Sequence, residues 1–187
     1  QGAEEADGVD GISRVVRDQI GRGADWIKVY ADYGWGPNGQ SRPTFTLDEL
    51  KLIVEIAGSS GRPVVAHANT TEGMRRAVLA GVRSIAHGGG GTAEIWAMMK
   101  ERGTFFCPTI GANAASALEA GRFKAGDPLP NNLRSKAATI KAAADAQTGQ
   151  ARQLFCQFVF VKDGEPMVNT FAGGGILRVD KGSVAQK

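Results

Sequence analysis

Two histidines and one lysine have positions in this sequence that suggest metal chemistry. His67 and His87 are the only histidines of the 187 residues, and each closes a short apolar run, at 63–67 and 82–87. Lys28 lies in a third such run. Neutral imidazoles bind divalent metals such as Zn²⁺, and a catalytic metal needs three protein ligands and an open position. A lysine can join this set only if its amine is carboxylated, which turns a cation into an anionic oxygen donor.

A simpler interpretation stays open for each histidine. A single His at a strand end is more often a hydrogen-bonded structural residue than a ligand. Two histidines in the same position of consecutive units, in a chain with no other His, favour the functional interpretation. We expect Lys28 to be buried in its apolar strand, where its charge is costly unless it is paired or chemically modified.

Strands and helices alternate around these residues. The patterns predict four strands (24–30, 63–67, 82–87 and 104–109) and four helices (9–21, 46–57, 70–80 and 92–102). Four strands with three intervening helices indicate a parallel sheet built by right-handed crossovers. Such sheets keep their active sites at the carboxyl ends of the strands, and Lys28, His67 and His87 are all predicted near those ends.

The segment from Asp32 to Pro43 is rich in Gly, Pro and Asn, so it is predicted to be a loop after the first strand. Long loops after barrel strands commonly cover substrate. Candidate substrate contacts are Tyr33, Trp35 and Arg42 in this loop and Asn69 after the second strand. A merely solvated loop explains the composition equally well.

Beyond residue 110 the pattern changes. The alanine-rich segments 112–120 and 133–151 are predicted to be helical. Residues 155–168 are predicted to form a β-hairpin about an Asp-Gly turn. The closing glycine-rich stretch, 171–187, is predicted to be turn or tail, because its glycines lack the strand-to-helix setting of a nucleotide loop.

Composition narrows the choice of partners. The chain has 22 Lys and Arg against 19 Asp and Glu, and its basic residues are scattered along helices, which argues against nucleic acid. Cys107 and Cys156 lack metal-site spacing, so buried thiols are favoured, although one bridge between them stays open. No apolar run reaches about eighteen residues and no signal-peptide pattern is present, so we expect no membrane partner and a cytoplasmic location.

The segment from Gly2 to about Ile110 resembles the amidohydrolase superfamily, in its branch of imidazolonepropionase-like and Xaa-Pro dipeptidase-like enzymes. The motifs GADWIKVYADY, RPVVAHANTTEGMRRAVLAGVRSIAHG and MKERGTFFCPT carry this resemblance. The family consists of (β/α)₈ barrels with one or two divalent metals at the carboxyl ends of the strands. The resemblance implies that Lys28 is the carboxylated lysine of the fourth strand, and that His67 and His87 are the metal-binding histidines of the fifth and sixth. Zn²⁺ is the expected metal.

The sequence also departs from the family pattern. The His-x-His pair of the first strand is absent, and neither Asp145 nor Asp163 is a convincing counterpart of the proton-transferring Asp on the eighth strand, so no catalytic residue is assigned. Ala86 stands where relatives usually carry Glu. Because a complete barrel takes roughly 250 residues, we expect a partial (β/α)₈ TIM-barrel segment of about four parallel strands and Ala-rich helices over 1–153. A C-terminal hairpin and Gly-rich tail are expected over 154–187.

Two functions follow from the resemblance. The first is metal-dependent hydrolysis of C–N bonds in a small amide, cyclic amide or dipeptide by metal-activated water, incomplete in this chain. The alternative is a non-catalytic remnant or assembly module that binds metal or a partner chain. A half barrel leaves open strand edges, so we expect a homo-oligomer or pairing with a complementary barrel half. A phosphate-binding half barrel is disfavoured, because the loops after the strands lack a phosphate cradle.

Overall fold

The computed structural model describes residues 4–109, Pro128, 131–146 and the backbone of three C-terminal strands. The chain divides into two compact units, one of Gln1–Pro108 with Ala138–Leu154 and the other of Thr109–Ala137 with Phe155–Lys187. No helix in the described part of the chain is both long enough and apolar enough to cross a bilayer.

Strands and helices alternate through the first unit, as predicted. Their order is α1 (Gly8–Gly21), β1 (Ile27–Tyr30), β2 (Asp32–Tyr33), β3 (Arg42–Pro43), α2 (Leu47–Ser59), β4 (Val64–Ala68), α3 (Thr71–Ala80), β5 (Ser84–His87), α4 (Ala93–Arg102) and β6 (Phe105–Cys107). Strands β1, β4, β5 and β6 form one parallel sheet in that order. Strands β2 and β3 form a separate antiparallel ribbon between β1 and α2. The predicted four-stranded parallel sheet is confirmed.

Side-chain caps fix where helices α2, α3 and α4 begin. Thr46 and Glu49 form the predicted capping box of α2: the Glu49 amide donates to Thr46 Oγ1 at 3.2 Å and the Thr46 amide donates to Glu49 Oε2 at 2.8 Å. Thr70 caps α3 and Thr92 caps α4 in the same way with their hydroxyls. Helix α3 ends at Gly81, whose φ of 92° requires a residue without a side chain.

The core lies between one face of the parallel sheet and the helices, which pack in chain order, α1 on α2, α2 on α3 and α3 on α4. Its largest side chain is Trp96, which is 1% exposed and contacts Phe106 with 4.9 Å between ring centroids. The other core side chains come from both the helices and the sheet and include Ile12, Val16, Ile27, Val29, Leu50, Ile53, Val64, Ala66, Met74, Val78, Ile85 and Met99.

The other face of the sheet carries the side chains that alternate with this core, and two of them are exposed. In β1, Ile27 and Val29 are buried in the core, whereas Lys28 and Tyr30 are exposed. Successive residues of a strand point to opposite faces, and the helices bury only one face of β1. The expectation that Lys28 is buried is therefore wrong.

The ribbon closes the two ends of the loop that the sequence predicts from Asp32 to Pro43, and residues 34–41 between its strands contain only bends and a short 3-10 turn at Pro37–Gly39. Asp32 and Tyr33 pair with Pro43 and Arg42 in an antiparallel register. Asp32 is completely buried, so it is part of the folded interior and not of a surface loop. The ribbon itself could not be predicted from the sequence, because two-residue strands leave no hydrophobic periodicity to detect.

The C-terminal part contains one further helix and three strands among the described residues. Helix α5 (Asn131–Ala146) agrees with the predicted alanine-rich helix, and its Ala143 is buried in the core of the first unit. Residues 112–120 and 147–151, also predicted to be helical, lie outside the described residues. Cys107 is buried in β6, as expected, and Cys156 lies outside the described residues.

The three C-terminal strands form an antiparallel sheet in chain order. They are β7 (Val159–Lys162), β8 (Glu165–Asn169) and β9 (Ile176–Arg178). The first two form the predicted hairpin. The third was not predicted: Ile176, Leu177 and Arg178 pair with β8. The glycines at 173–175, which are predicted to be turn or tail, lie outside the described residues.

Candidate functional site

The two histidine rings lie side by side at the carboxyl edge of the sheet. Their centroids are 4.6 Å apart and their planes are inclined by 67°. The register places His67 level with Ala86, and His87 level with Ala68 one position further along. Strict strand alternation would therefore point the two rings to opposite faces of the sheet.

An unusual backbone conformation at His87 brings the rings together. His87 is the last residue of β5, and its φ is 74°, in the left-handed region. For a residue with a side chain this region costs roughly 1–2 kcal/mol. Such strain persists only where the surrounding structure enforces it, and it concentrates at functional sites. The histidine pair therefore depends on a strained strand end as well as on sheet register.

Lys28 and Tyr30 extend the same face from the neighbouring strand. Tyr30 is level with His67, and the centroids of their rings are 4.9 Å apart. Lys28 is two residues earlier in β1, on the same face as Tyr30, and its charge lies close enough to lower the pKa of His67. The structure thus brings Lys28, His67 and His87 to one end of one sheet face.

His67 lies in an environment that favours its neutral form. Its side chain is only 18% exposed, and burial is the main cause that lowers its pKa below 6.5. The Asp32 carboxylate opposes this shift, and the Lys28 ammonium adds to it. A neutral imidazole has a lone pair to give to a metal, whereas an imidazolium has none. The electrostatics of this position therefore suit a metal ligand.

Asp32 is a site residue that the sequence interpretation missed. Its carboxylate oxygen Oδ2 accepts hydrogen bonds from the amides of Asn69 (2.8 Å) and Thr70 (2.7 Å) and from Thr70 Oγ1 (2.8 Å). The other oxygen, Oδ1, accepts from the Asn69 amide (3.0 Å) and lies 3.5 Å from His67 Nε2. The carboxylate therefore joins the first turn of α3 to the histidine. An acidic residue two positions after an apolar strand was the available signal.

Two of the four candidate substrate contacts lie at the histidine pair or beside it. Asn69 is exposed, and its Nδ2 is 3.4 Å from His67 Nε2. Tyr33 packs edge-on against Tyr30 with 6.0 Å between ring centroids. Trp35 and Arg42 are both exposed and contact each other in the ribbon, where Trp35 Nε1 donates to the Arg42 carbonyl at 3.0 Å.

The donor set limits how a metal could be held. Within the ranges that the structure describes, no three His, Cys, Asp or Glu side chains are grouped so that they could bind one ion. Within those ranges the paired candidate ligands are the two imidazoles, so a metal held there by three side chains would need a third ligand of another kind. Lys28 fits this need if its amine is carboxylated, because the resulting carbamate supplies anionic oxygen on the same face.

Known proteins resemble this chain in both sequence and structure. No family model matches the chain. Ochratoxinase from Aspergillus niger is 40% identical over 106 residues, a match that covers 56% of this chain and 22% of ochratoxinase. The crystal structure of A. niger ochratoxinase matches 76% of this chain and 30% of its own, with a TM-score of 0.55 and 33% identity.

Two further crystal structures match at similar identity. One is a prolidase in complex with N-methylphosphonate-L-proline, with a TM-score of 0.61 and 31% identity over 77% of this chain and 37% of that chain. The other is a Xaa-Pro dipeptidase with methionine bound in its active site, with a TM-score of 0.53 and 33% identity over 75% of this chain and 34% of that chain. These neighbours are amidohydrolase-family proteins.

The chain corresponds to a segment of these amidohydrolases. It spans 22% of the curated ochratoxinase and 30% to 37% of the three solved structures. The expected family resemblance is confirmed, and so is the expected fold, a partial amidohydrolase TIM-barrel segment with four parallel strands and their helices.

Proposed function

We propose that this chain carries a metal-binding half site of an amidohydrolase-type hydrolase that acts on C–N bonds. Lys28, as a carbamate, and the imidazoles of His67 and His87 would hold one divalent metal, with Zn²⁺ as the preferred ion because it suits imidazole and oxygen ligands. The observation that carries this proposal is the 4.6 Å separation of two histidine rings at the carboxyl edge of a parallel sheet. The amidohydrolase neighbours support it.

Each ligand has a property that suits its role. Burial lowers the pKa of His67, which keeps its lone pair available near neutral pH. The strained φ of His87 turns its ring toward His67. Lys28 is an exposed residue, so dissolved CO₂ can reach its side chain from solution. A bound divalent metal would polarise a substrate carbonyl and lower the pKa of a water molecule.

The neighbouring polar and aromatic side chains supply a substrate-binding surface in this proposal. The side-chain amide of Asn69, whose Nδ2 lies close to His67, can donate a hydrogen bond to a substrate carbonyl. Tyr33, Trp35 and Arg42 form the outer wall along the ribbon. A small amide or dipeptide is the proposed substrate, because solved neighbours hold a proline-derived phosphonate and methionine. In this proposal, a second copy of the chain or a complementary barrel half would pack against the sheet face on which Lys28 is exposed and complete the barrel.

Hydrolysis of N-acyl amino acids and Xaa-Pro dipeptides by zinc-loaded protein tests this function. We expect measurable hydrolysis that His67→Ala, His87→Ala and Lys28→Ala each abolish. Lys51→Ala is the matched control, because Lys51 is an exposed lysine of α2 that pairs with Asp48 at the surface of that helix. Zinc binding without turnover would contradict the hydrolase proposal and favour the non-catalytic metal-binding module. Equal turnover in Lys28→Ala and Lys51→Ala would remove Lys28 from the ligand set.

A further inference from the structure

We propose that Asp32 is a positioning residue that fixes the tautomer of His67. The proton of the neutral ring is held on Nε2, next to Asp32, and Nδ1 is left as the nitrogen that can bind a ligand. The purpose of this arrangement rests on the proposed function, but the protonation pattern of the ring is a property of the metal-free chain and can be measured without metal.

The Asp32 carboxylate is held rigidly enough to act in this way. It is completely buried, and three donors at the start of α3 fix its Oδ2 oxygen at distances between 2.7 and 2.8 Å. The helix N-terminus adds a favourable electrostatic field for a negative charge. Gly73 leaves the space, because a Cβ atom at this position would overlap Asp32 Oδ2.

The second oxygen has hydrogen-bonding capacity to spare. Oδ1 accepts one hydrogen bond, from the Asn69 amide at 3.0 Å, and a carboxylate oxygen can accept two. His67 Nε2 lies 3.5 Å from it. A carboxylate cannot donate, so the pair attract each other only when Nε2 carries the hydrogen. Metal-binding histidines commonly donate their second ring N–H to a carboxylate in this manner.

Asn69 offers the competing arrangement. Its Nδ2 is 3.4 Å from His67 Nε2 and would donate to a bare Nε2, which places the ring proton on Nδ1. Asp32 is the stronger partner for two reasons. The Asp32 carboxylate carries a full negative charge 3.5 Å from Nε2 and attracts a ring N–H electrostatically, whereas the Asn69 side-chain amide is a neutral donor. The Asn69 side chain is also exposed, so water can satisfy its amide.

The tautomer can be read from long-range ¹H–¹⁵N spectra of the metal-free chain at about pH 8, where a histidine is neutral. Only two histidines contribute signals, and His87→Ala assigns them. The wild-type His67 should show the Nε2–H pattern. In Asp32→Asn, the three donors hold the amide oxygen at the Oδ2 position, so the NH₂ group faces His67 and the proton moves to Nδ1.

Thr70→Ala is the matched control, because it removes a hydrogen bond to Asp32 Oδ2 and the cap of α3 but leaves Oδ1 beside His67. It should keep the Nε2–H pattern. Zinc affinity should fall about tenfold to a hundredfold in Asp32→Asn, as for other partners of metal-binding histidines, and should change far less in Thr70→Ala.

A wild-type Nδ1–H pattern, or an unchanged pattern in folded Asp32→Asn, would overturn the inference. If Asp32→Asn does not fold, Asn69→Ala decides: it should retain Nε2–H if Asp32 attracts the ring proton, whereas a move to Nδ1–H would show that the Asn69 side-chain oxygen, with its amide turned over, had accepted that proton. The Nε2–H pattern in a chain that binds no zinc would support the positioning of His67 while contradicting the proposed function. Zinc binding by a chain that shows the Nδ1–H pattern would support the proposed metal site and contradict the role of Asp32.

Discussion

Replacing Gly73 with alanine should destabilise the protein, although alanine is the better helix former. Gly73 lies in the first turn of α3, and an added Cβ would overlap Asp32 Oδ2 and approach Thr70 Oγ1 to 2.9 Å and Asp32 Cγ to 3.0 Å. Ordinary contact begins near 3.4 Å, so the carboxylate has to move by several tenths of an ångström. Its hydrogen bonds from the Thr70 amide and hydroxyl would then lengthen or break.

The size of the effect follows from two opposing contributions. Alanine in a helix interior is favoured over glycine by about 1 kcal/mol. Two hydrogen bonds to a charged group contribute roughly 1.5–3 kcal/mol each. If both are lost, Gly73→Ala lowers the free energy of unfolding by about 2–5 kcal/mol. This is a large part of the roughly 5–15 kcal/mol that stabilises a typical domain.

Urea unfolding followed by far-UV circular dichroism measures this difference, and Gly58→Ala is the control. Gly58 lies inside α2, and an added Cβ there meets nothing within 4 Å. That substitution should stabilise the protein by about 0.5–1 kcal/mol. The two identical substitutions are thus expected to have opposite signs. A neutral or stabilising Gly73→Ala would refute the conclusion that Asp32 is held tightly against α3.

Three further predictions concern other parts of the first unit. Because the pKa of His67 is lower in the folded than in the unfolded chain, the unfolded chain binds a proton first as the pH falls. The stability that neutral His67 contributes is therefore complete above pH 6.5 and is lost as the pH falls through the pKa of the folded state. In urea unfolding at a series of pH values, the free energy of unfolding should decrease less steeply with falling pH in His67→Ala than in the wild type. In urea unfolding, the free energy of unfolding of His87→Gly should exceed that of His87→Ala by about 1 kcal/mol, because only glycine adopts a φ of 74° without strain. Trp96→Ala should cost about 3–5 kcal/mol in the same assay, and a loss below 1 kcal/mol would contradict its place in the core.

Much of the fold could be predicted from the sequence because its local signals agree with one another. The apolar runs that end at His67 and His87 are buried strands, and the Thr46 capping box begins α2 where the pattern places it. Periodicity and caps act over a few residues, so they can be read directly from the chain. The neighbouring order of the strands follows from the short connections between them.

The details of the site could not be predicted in this way, because they depend on contacts between distant residues. Asp32 reaches the start of α3 across 37 and 38 positions of sequence, so its place two positions after an apolar strand could mark it as a candidate but could not show that it is buried. The left-handed conformation of His87 precedes a run of four glycines, and the pattern of its strand gives no sign of it. Lys28 was expected to be buried because its strand is apolar, although only alternate positions of β1 are covered.

Elemental mass spectrometry of the untagged chain, with the double variant His67→Ala/His87→Ala beside it, tests the central claim most directly. Tyr33→Ala is the matched control, since this exposed aromatic residue lies in the same region but has no metal-binding atom proposed for it. The wild type and Tyr33→Ala should each hold about one divalent metal per chain after loading with zinc. The double variant should remain folded and hold none. Equal metal content in all three proteins, or no bound metal in the wild type, would contradict the account.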